Sequence, residues 1–204
     1  MEAQSPSTPE KILERANALV RNNHFIYSSG KHGSAYVNKD AVYTNPLDVA
    51  KLCEQMVLRI GETEIDTVVA PALGAVILGQ WVAYYLSRKR DNQIVRSAYA
   101  EKLGDGFVLR RGYAELVKGK RVLIVEDILT TGGSVKKVIK TVHEAQGHVA
   151  GVVAICNRGA VRAEDLGPVP FLKALVDFRL ETFEATQCPL CAKGIPFHPS
   201  LGKA

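Results

Sequence analysis

Residues 122–134 read VLIVEDILTTGGS, an apolar run followed by two acids and a turn of small residues. The run predicts a buried strand over Val122–Val125 that delivers Glu126 and Asp127 to the edge of a sheet. The TTGGS turn then opens a helix, which we expect over Ser134–Gln146 with Gly147 closing it. Ligands bind beyond the carboxyl ends of strands in such sheets, so we expect a site here.

The same alternation extends to both sides of this segment. We predict strands at residues 65–70, 93–99, 149–156 and 171–176, and helices at 46–60 and 75–86. A first helix is expected to begin near Ser7, with apolar residues at helical spacing from Ile12 to Val20, and residues 24–43 are expected to be irregular or short strands. Apolar strands that alternate with helices indicate a parallel sheet covered on both faces, so the predicted fold class is α/β.

Composition narrows the class of protein. The chain has 204 residues, of which 47% are hydrophobic and 23% are charged, and this excludes a disordered, collagen-like or disulfide-stapled chain. The net charge of +5 permits an anionic partner without identifying one. The polar N-terminus lacks the apolar core of a signal peptide, so we expect a cytoplasmic protein. The uncharged stretch Val68–Leu86 approaches the length of a membrane span, but Pro71 and Gly74 interrupt it, and strand, loop and helix explain it.

The turn after the acids has the chemistry of a phosphate site. Free backbone N–H groups at a helix start, beside small hydroxyl side chains, cradle a phosphate. Two carboxylates would repel that phosphate, so Glu126 and Asp127 should face ribose hydroxyls or a metal ion instead. The segment therefore predicts a phosphorylated sugar as ligand. The alternative is a strand end followed by an ordinary helix cap.

The segment VLIVEDILTTGGS resembles the phosphoribosyl diphosphate (PRPP) motif of type I phosphoribosyltransferases, and almost the whole chain is most similar to the orotate phosphoribosyltransferases among them. The resemblance implies that Glu126 and Asp127 hold the ribose 2′- and 3′-hydroxyls and that Mg²⁺ binds with the diphosphate. It assigns the 5′-phosphate to Thr130, Thr131, Gly132, Gly133 and Ser134. It also implies a single domain over residues 1–204. Its central, mostly parallel sheet is flanked by helices and forms a core at about 62–180, and a small hood is formed by residues 1–45 with part of the C-terminal tail.

Two further segments carry expectations about the base. Residues 25–31, FIYSSGK, are similar to the family's N-terminal segment beside the base, which implicates Lys31. The pair Asn157-Arg158 is similar to the family's D-R, whose Arg contacts orotate. A guanidinium at a strand's carboxyl end can bind a carboxylate bidentately, and this favours Arg158 over the nearby Arg162.

The diphosphate loop is expected at Ala72, Leu73 and Gly74, after Pro71. Many relatives have Lys at the position of Gly74, so in this chain backbone amides would have to supply more of the contacts to the diphosphate.

Residues 88–121 carry ten Lys/Arg against four Asp/Glu, a net charge of +6. Such a basic stretch with a Gly-Asp-Gly tip suits either a mobile arm that closes over a polyphosphate or a solvated charged hairpin. The resemblance implies the first: a flexible loop, often acting on the partner subunit's site, with Lys102 as its catalytic cation. The family's usual R-K-x-x-K-x-H arrangement is missing, and Arg96 and Lys102 are the cations before the tip.

The four cysteines divide into two groups. Cys53 and Cys156 fit buried positions in a helix and a strand. Cys188 and Cys191, in the sequence CPLC, could form half of a zinc site, with His198 as a further candidate ligand, but a second C-x-x-C pair is absent from the sequence.

The resulting hypothesis is an orotate phosphoribosyltransferase with PRPP and orotate as substrates, expected as a homodimer away from membranes. One alternative is a PRPP-dependent transferase for another base. A second is a PRPP-sensing regulator that binds nucleic acid. The second is disfavoured because the net charge is modest and no basic motif with interleaved aromatics occurs.

Overall fold

The computed structural model describes residues 8–27, 30–178 and 181–202. Its α-helices are α1 Pro9–Arg15, α2 Lys39–Tyr43, α3 Pro46–Ile60, α4 Val76–Lys89, α5 Tyr113–Val117, α6 Gly133–Glu144, α7 Ala163–Leu166 and α8 Pro189–Ala192. Its strands are β1 Leu19–Val20, β2 Phe25–Ile26, β3 His32–Gly33, β4 Tyr36–Val37, β5 Thr67–Pro71, β6 Arg96–Leu103, β7 Gly106–Val108, β8 Arg121–Leu129, β9 His148–Asn157, β10 Leu172–Asp177 and β11 Thr182–Phe183. A short 3-10 helix spans Ala185–Gln187.

The larger of two compact units, residues 49–178, contains a six-stranded sheet in the order β10-β9-β8-β5-β6-β7. All neighbours are parallel except β7, which folds back antiparallel on β6. The chain moves from β5 to β6 on one side, then crosses to place β8 on the other side of β5. The connections therefore diverge between β5 and β8, and the predicted α/β class with a mostly parallel sheet is confirmed.

The core explains why this sheet forms. Strands β5, β8 and β9 are almost entirely buried, as expected for strands covered on both faces. One face packs against the apolar side of α6, where Val135, Val138 and Val142 meet Val122 and Ile124 of β8. Because α6 is amphipathic, its Lys residues remain outward while its valines seal the face of the sheet that carries Glu126.

The smaller unit comprises the described residues up to Asp48 and those from residue 181 onward. It holds the antiparallel pair β1–β4 and a three-stranded sheet in the order β11-β3-β2. Each of these strands has only two residues, so backbone ladders contribute little to this unit, and side-chain contacts must stabilise it.

Several boundaries differ from the sequence prediction. The first helix ends at Arg15, and Leu19–Val20 forms a strand, because the apolar spacing that favours a helix also fits burial of β1 against β4. Thr8 caps α1; the expected start at Ser7 lies outside the described residues. Strand β8 continues through the two acids to Leu129, and α2 and α5 were not predicted. The uncharged stretch from Val68 divides into β5, a loop and α4, and among the described residues no helix is long and apolar enough to cross a membrane.

Candidate PRPP site

The two acids lie where β8 is paired on one side only. The ladder between β5 and β8 ends at Val69–Ile124, whereas β8 and β9 stay paired through Leu129–Asn157. The side of β8 that faces β5 therefore opens into a crevice at the carboxyl edge, at the point where the chain connections diverge. Ligands of open α/β sheets bind in such a crevice.

Glu126 and Asp127 are held by the backbone of this segment. Each side chain is 7% exposed. The Glu126 carboxylate accepts a hydrogen bond from the Asp127 N–H at 2.9 Å, and the Asp127 carboxylate accepts one from the Ile128 N–H at 2.6 Å. Each carboxylate has further acceptor positions beyond this one backbone contact, so both acids can accept hydrogen bonds from hydroxyl groups.

The turn after β8 has the shape of an anion cradle. Gly132 adopts φ +72° and starts α6 at Gly133. A Cβ at Gly132 would lie 2.5 Å from Leu166 Cδ2, so this position requires glycine. Thr130, Thr131 and the following Ser134 are exposed, and the Thr131 hydroxyl accepts the Gly133 N–H at 3.3 Å.

A cavity of about 110 Å³ lies at this turn, lined by Glu126 and residues 128–135. It is bounded by the first turn of a twelve-residue helix, whose N–H groups and dipole favour a negative charge. The predicted phosphate-binding residues and the first predicted ribose-binding acid therefore line one cavity.

Arg158 lies beside this turn rather than apart from it. Its backbone N–H donates to the Leu129 carbonyl at 2.8 Å, which fixes it just beyond β9. Its guanidinium donates to the Thr130 hydroxyl at 3.1 Å. Gly159 permits this approach, because a Cβ there would overlap the Thr130 carbonyl oxygen. Arg162 instead pairs with Glu164 and Asp165 around α7, so of the two candidates Arg158 is the one at the crevice.

The expected diphosphate loop follows β5. Its side chains at Ala72 and Leu73 are apolar, and Leu73 is 87% exposed. The Ala72 N–H donates to the Ala100 carbonyl at 2.8 Å, which ties the loop to β6, and the peptide bond between Ala72 and Leu73 is cis. An anion bound at this loop, which includes Gly74, would meet backbone dipoles and no charged side chain.

Within the basic segment, β6 and β7 form a hairpin with its tip at residues 103–106. Lys102 is exposed near the tip, two residues beyond the position where β6 is last paired with β5. Arg96 pairs with Thr67 at the opposite, amino edge of the sheet. The strand therefore separates the two cations expected before the tip, and Lys102 is the one at the carboxyl edge.

Exposed ion pairs hold the tip of the hairpin, whereas Phe107 of β7 packs against the core and its carbonyl accepts the Thr141 hydroxyl at 3.0 Å. Asp105 at the tip lies 2.6 Å from the Lys137 ammonium on α6, which lowers the pKa of the Asp105 carboxyl. Glu101 pairs with Arg111 at 2.9 Å. Because exposed pairs are weak and sensitive to salt, these contacts suit an element that opens and closes.

The remaining predicted residues lie in the smaller unit. Lys31 is exposed in the loop between β2 and β3, 2.9 Å from the Glu184 carboxylate, and its base-binding role stays a prediction. Cys188 and Cys191 lie at the start of α8 and within it. His198 is not in their cluster, because its Nδ1 accepts the N–H groups of Ser200 and Leu201. The neighbours of the two thiols are His24 and His32, which the sequence reasoning missed because more than 150 residues separate them from Cys188.

A larger cavity of about 690 Å³ lies at the amino edge of the sheet. Two of the arginines that line it already have partners within the protein. Arg121 pairs with Glu64 and Asp66, and Arg90 donates to the carbonyl groups of Ile65 and Thr63. This cavity is on the opposite edge from the acids and the turn, so we do not assign the site there.

Known proteins resemble the chain both in sequence and in fold. A family model described as the phosphoribosyl transferase domain matches residues 38–185. The orotate phosphoribosyltransferase of Caldicellulosiruptor bescii is 39% identical over 91% of this chain and 92% of its own length, and that of Caldanaerobacter subterraneus is 39% identical over 92% and 94%. The crystal structure of Mycobacterium tuberculosis orotate phosphoribosyltransferase has a TM-score of 0.66 at 20% identity, covering 83% of this chain and 95% of that one. With the six-stranded sheet and the acid-and-glycine turn of β8, these findings establish that the chain belongs to the phosphoribosyl transferase family.

Proposed function

We propose that the protein transfers the 5-phosphoribosyl group of PRPP to orotate, which yields orotidine 5′-monophosphate and diphosphate. The observation that carries this proposal is the juxtaposition of Glu126 and Asp127 with the phosphate-shaped turn at 130–134. The kinship with proteins named orotate phosphoribosyltransferase supports the choice of base. Cytoplasmic location and a homodimer are parts of the same proposal.

The geometry supports binding of different parts of PRPP by different residues. The 5′-phosphate would occupy the turn, where the N–H groups of the first turn of α6 and the hydroxyls of Thr130, Thr131 and Ser134 supply donors. The ribose hydroxyls would donate to Glu126 and Asp127. This orientation keeps the two carboxylates away from the phosphate, whose charge they would otherwise repel.

Mg²⁺ fits the donors at this edge. Carboxylate, hydroxyl and phosphate oxygens are the hard ligands that the ion prefers, and Glu126 and Asp127 are the side chains that would hold it with PRPP. When bound, the ion would neutralise part of the charge on the diphosphate. The chain's own contribution to the leaving group is Lys102, with the backbone dipoles of Ala72, Leu73 and Gly74.

The reaction then needs positioning and electrostatics but no protein nucleophile. The C1–N1 bond to the base forms as the C1–O bond breaks, the electron pair of the C1–O bond leaves with the diphosphate, and the N1 proton of orotate is released to the diphosphate or to water. Positive character on the ribose and negative charge on the leaving group are what the site must stabilise. Arg158 follows the carboxyl end of β9, and its guanidinium would bind the carboxylate or carbonyl edge of the base.

A base panel tests the proposal. Purified protein is mixed with PRPP, Mg²⁺ and, separately, orotate, uracil, adenine or hypoxanthine, and diphosphate release is measured. Of the four bases, we expect only orotate to cause release of diphosphate. Release with another base, or binding of PRPP without turnover of orotate, would contradict the proposed substrate.

A further inference from the structure

We propose that the smaller unit contains a structural zinc site formed by His24, His32, Cys188 and Cys191. Their ligand atoms all lie within 4.8 Å of one another. His24 is fully buried, His32 is 7% exposed and Cys188 is 3% exposed, whereas Cys191 faces solvent. Cytosolic thiols seldom form structural disulfides, and two Cys with two His form a common structural zinc set.

Four of the six distances between ligand atoms in this cluster are close to the edges of a zinc tetrahedron, and the other two are at most 4.8 Å. Zn–N bonds of about 2.0–2.1 Å and Zn–S bonds of about 2.3 Å place two nitrogens about 3.3 Å apart and nitrogen and sulfur about 3.6 Å apart. His24 Nε2 and His32 Nδ1 are 3.4 Å apart. His24 Nε2 lies 3.4 Å from Cys188 Sγ and 3.8 Å from Cys191 Sγ, and His32 Nδ1 lies 3.3 Å from Cys191 Sγ.

The contact between the two rings is longer than a well-formed hydrogen bond. Good geometry would bring the two imidazole nitrogens to about 2.9–3.0 Å, and they are 3.4 Å apart. His24 Nε2 also lies close to both thiols, so no single pairing accounts for its neighbours. A cation that all four groups coordinate accounts for this convergence.

The outer contact of His24 sets its tautomer for metal binding. Its Nδ1 lies 2.8 Å from the carbonyl oxygen of Ile195, and a carbonyl can only accept, so Nδ1 carries the proton. The lone pair of Nε2 then points into the cluster. Metal-binding histidines typically donate their other N–H to a carbonyl or carboxylate in this way.

The fold brings four ligands from distant parts of the chain to one place. His24 directly precedes β2, and His32 lies in β3, which pairs with both β2 and β11. Cys188 and Cys191 are three residues apart on α8 and so lie on the same side of it. Phe197 covers the two imidazoles, with ring centroids 4.2 Å from His24 and 5.2 Å from His32.

The donor set indicates the metal and its role. Two sulfurs and two imidazole nitrogens in a tetrahedral arrangement favour zinc over Mg²⁺ or Ca²⁺, which prefer oxygen. Four protein ligands leave no open position, so the ion is structural and not catalytic. It would join the β2–β3 hairpin to the C-terminal segment in a unit whose strands are only two residues long, and the loop between its two histidines carries Lys31.

Metal analysis of the protein, purified without added chelator, tests the site. We expect one zinc per chain, and an X-ray absorption spectrum with two sulfur and two nitrogen neighbours at about 2.3 Å and 2.0 Å. Replacement of zinc by Co²⁺ should give thiolate charge-transfer bands and the visible bands of tetrahedral cobalt. These readouts are independent of enzymatic activity and hold whether or not orotate is the substrate.

Variants identify the ligands. His32→Ala and Cys191→Ser should lose the stoichiometric zinc, and Cys191→His should retain metal with a weaker thiolate band in the cobalt form. The matched controls His198→Ala and Cys156→Ala should keep both metal and spectrum. Protein without bound metal, a first shell of oxygen and nitrogen only, or full zinc content in both His32→Ala and Cys191→Ser would overturn the proposal. The spectra of the unsubstituted protein decide the matter even if a variant fails to fold.

Discussion

At the scale of single residues, the candidate site consists of two acids in the part of β8 that is paired with β9 but no longer with β5. Glu126 and Ile128, the residues on either side of Asp127, are paired with Ala154 and Cys156 of β9, which holds the acids in place, while the side toward β5 is unpaired. Rigid placement matters because catalysis by positioning loses efficiency when a contact group moves. In the proposed complex, the adjacent turn would add contacts to the phosphate through its backbone.

Asp127→Asn tests the role of the acids. The amide keeps the shape but is a weaker acceptor for a ribose hydroxyl, so we expect kcat/KM for PRPP to fall about 10- to 100-fold, equivalent to roughly 1.5–3 kcal/mol. Steady-state kinetics with PRPP varied measures the loss. Asp177→Asn, an exposed acid at the carboxyl end of β10, is the matched control and should stay near the unsubstituted rate. Equal rates for the two variants would remove Asp127 from the site.

Gly132→Ala tests the turn. Both Gly132 and Gly104 have positive φ, but a Cβ at Gly104 meets open space whereas one at Gly132 meets Leu166 and Val161. We expect Gly104→Ala to cost about 1 kcal/mol of unfolding free energy and Gly132→Ala to cost about 1–3 kcal/mol more. Urea denaturation of the two variants measures the difference. Equal losses would show that the contact with α7 does not constrain the turn.

At the scale of elements, the β6–β7 hairpin is the part of the site best suited to move. Its tip is held by exposed charges and carries Lys102 at the carboxyl edge, whereas Phe107 in β7 is anchored against the core. An element held in this way can close over a charged substrate and release the product. The length of β6 also places its two cations at opposite edges of the sheet.

Lys102→Ala and Arg96→Ala test that separation within one strand. If Lys102 stabilises the leaving diphosphate, its loss should lower kcat about 100-fold with a smaller effect on the KM for PRPP. Arg96→Ala should leave kcat within about twofold, because Arg96 lies at the amino edge. Single-turnover measurements separate the chemical step from product release. An unchanged chemical rate in Lys102→Ala would exclude the proposed role.

How much of this could be predicted from the sequence differs between elements. The strand-acid-turn-helix segment is local, so its pattern predicts both its structure and its place at the carboxyl edge. Strand β1 and the helices α2 and α5 are short, and tertiary contacts decide them, so periodicity does not reveal them. For residues 24–43 the sequence indicates short strands or irregular structure but not the bounds of β2, β3 and β4. Likewise, His24 and His32 carry no local signal, because only the folded chain brings them beside Cys188 and Cys191.

At the scale of the whole molecule, the two other cysteines make the free energy of unfolding depend on pH. Cys53 in α3 and Cys156 in β9 are fully buried, and burial raises the pKa of each thiol to about 12. The unfolded chain releases these protons from its ordinary pKa of 9.0 upward, while the folded chain retains them. The stabilisation is therefore complete below pH 9 and is lost as the pH rises toward 12.

The double variant Cys53→Ala/Cys156→Ala tests this linkage. It removes both buried thiols, so its unfolding free energy should fall less steeply between pH 9 and pH 12 than that of the unsubstituted protein. Urea denaturation of both proteins below and above pH 9 provides the comparison. Parallel pH profiles would show that the thiols do not titrate on unfolding as described.

The most direct test of the central claim is to identify the product by mass spectrometry when the protein is given PRPP, Mg²⁺ and orotate, with the Asp127→Asn variant alongside. We predict orotidine 5′-monophosphate and diphosphate in equal amounts, formed much more slowly by the variant. Absence of orotidine 5′-monophosphate from a protein that binds PRPP, or its formation at the same rate by both proteins, would contradict the account.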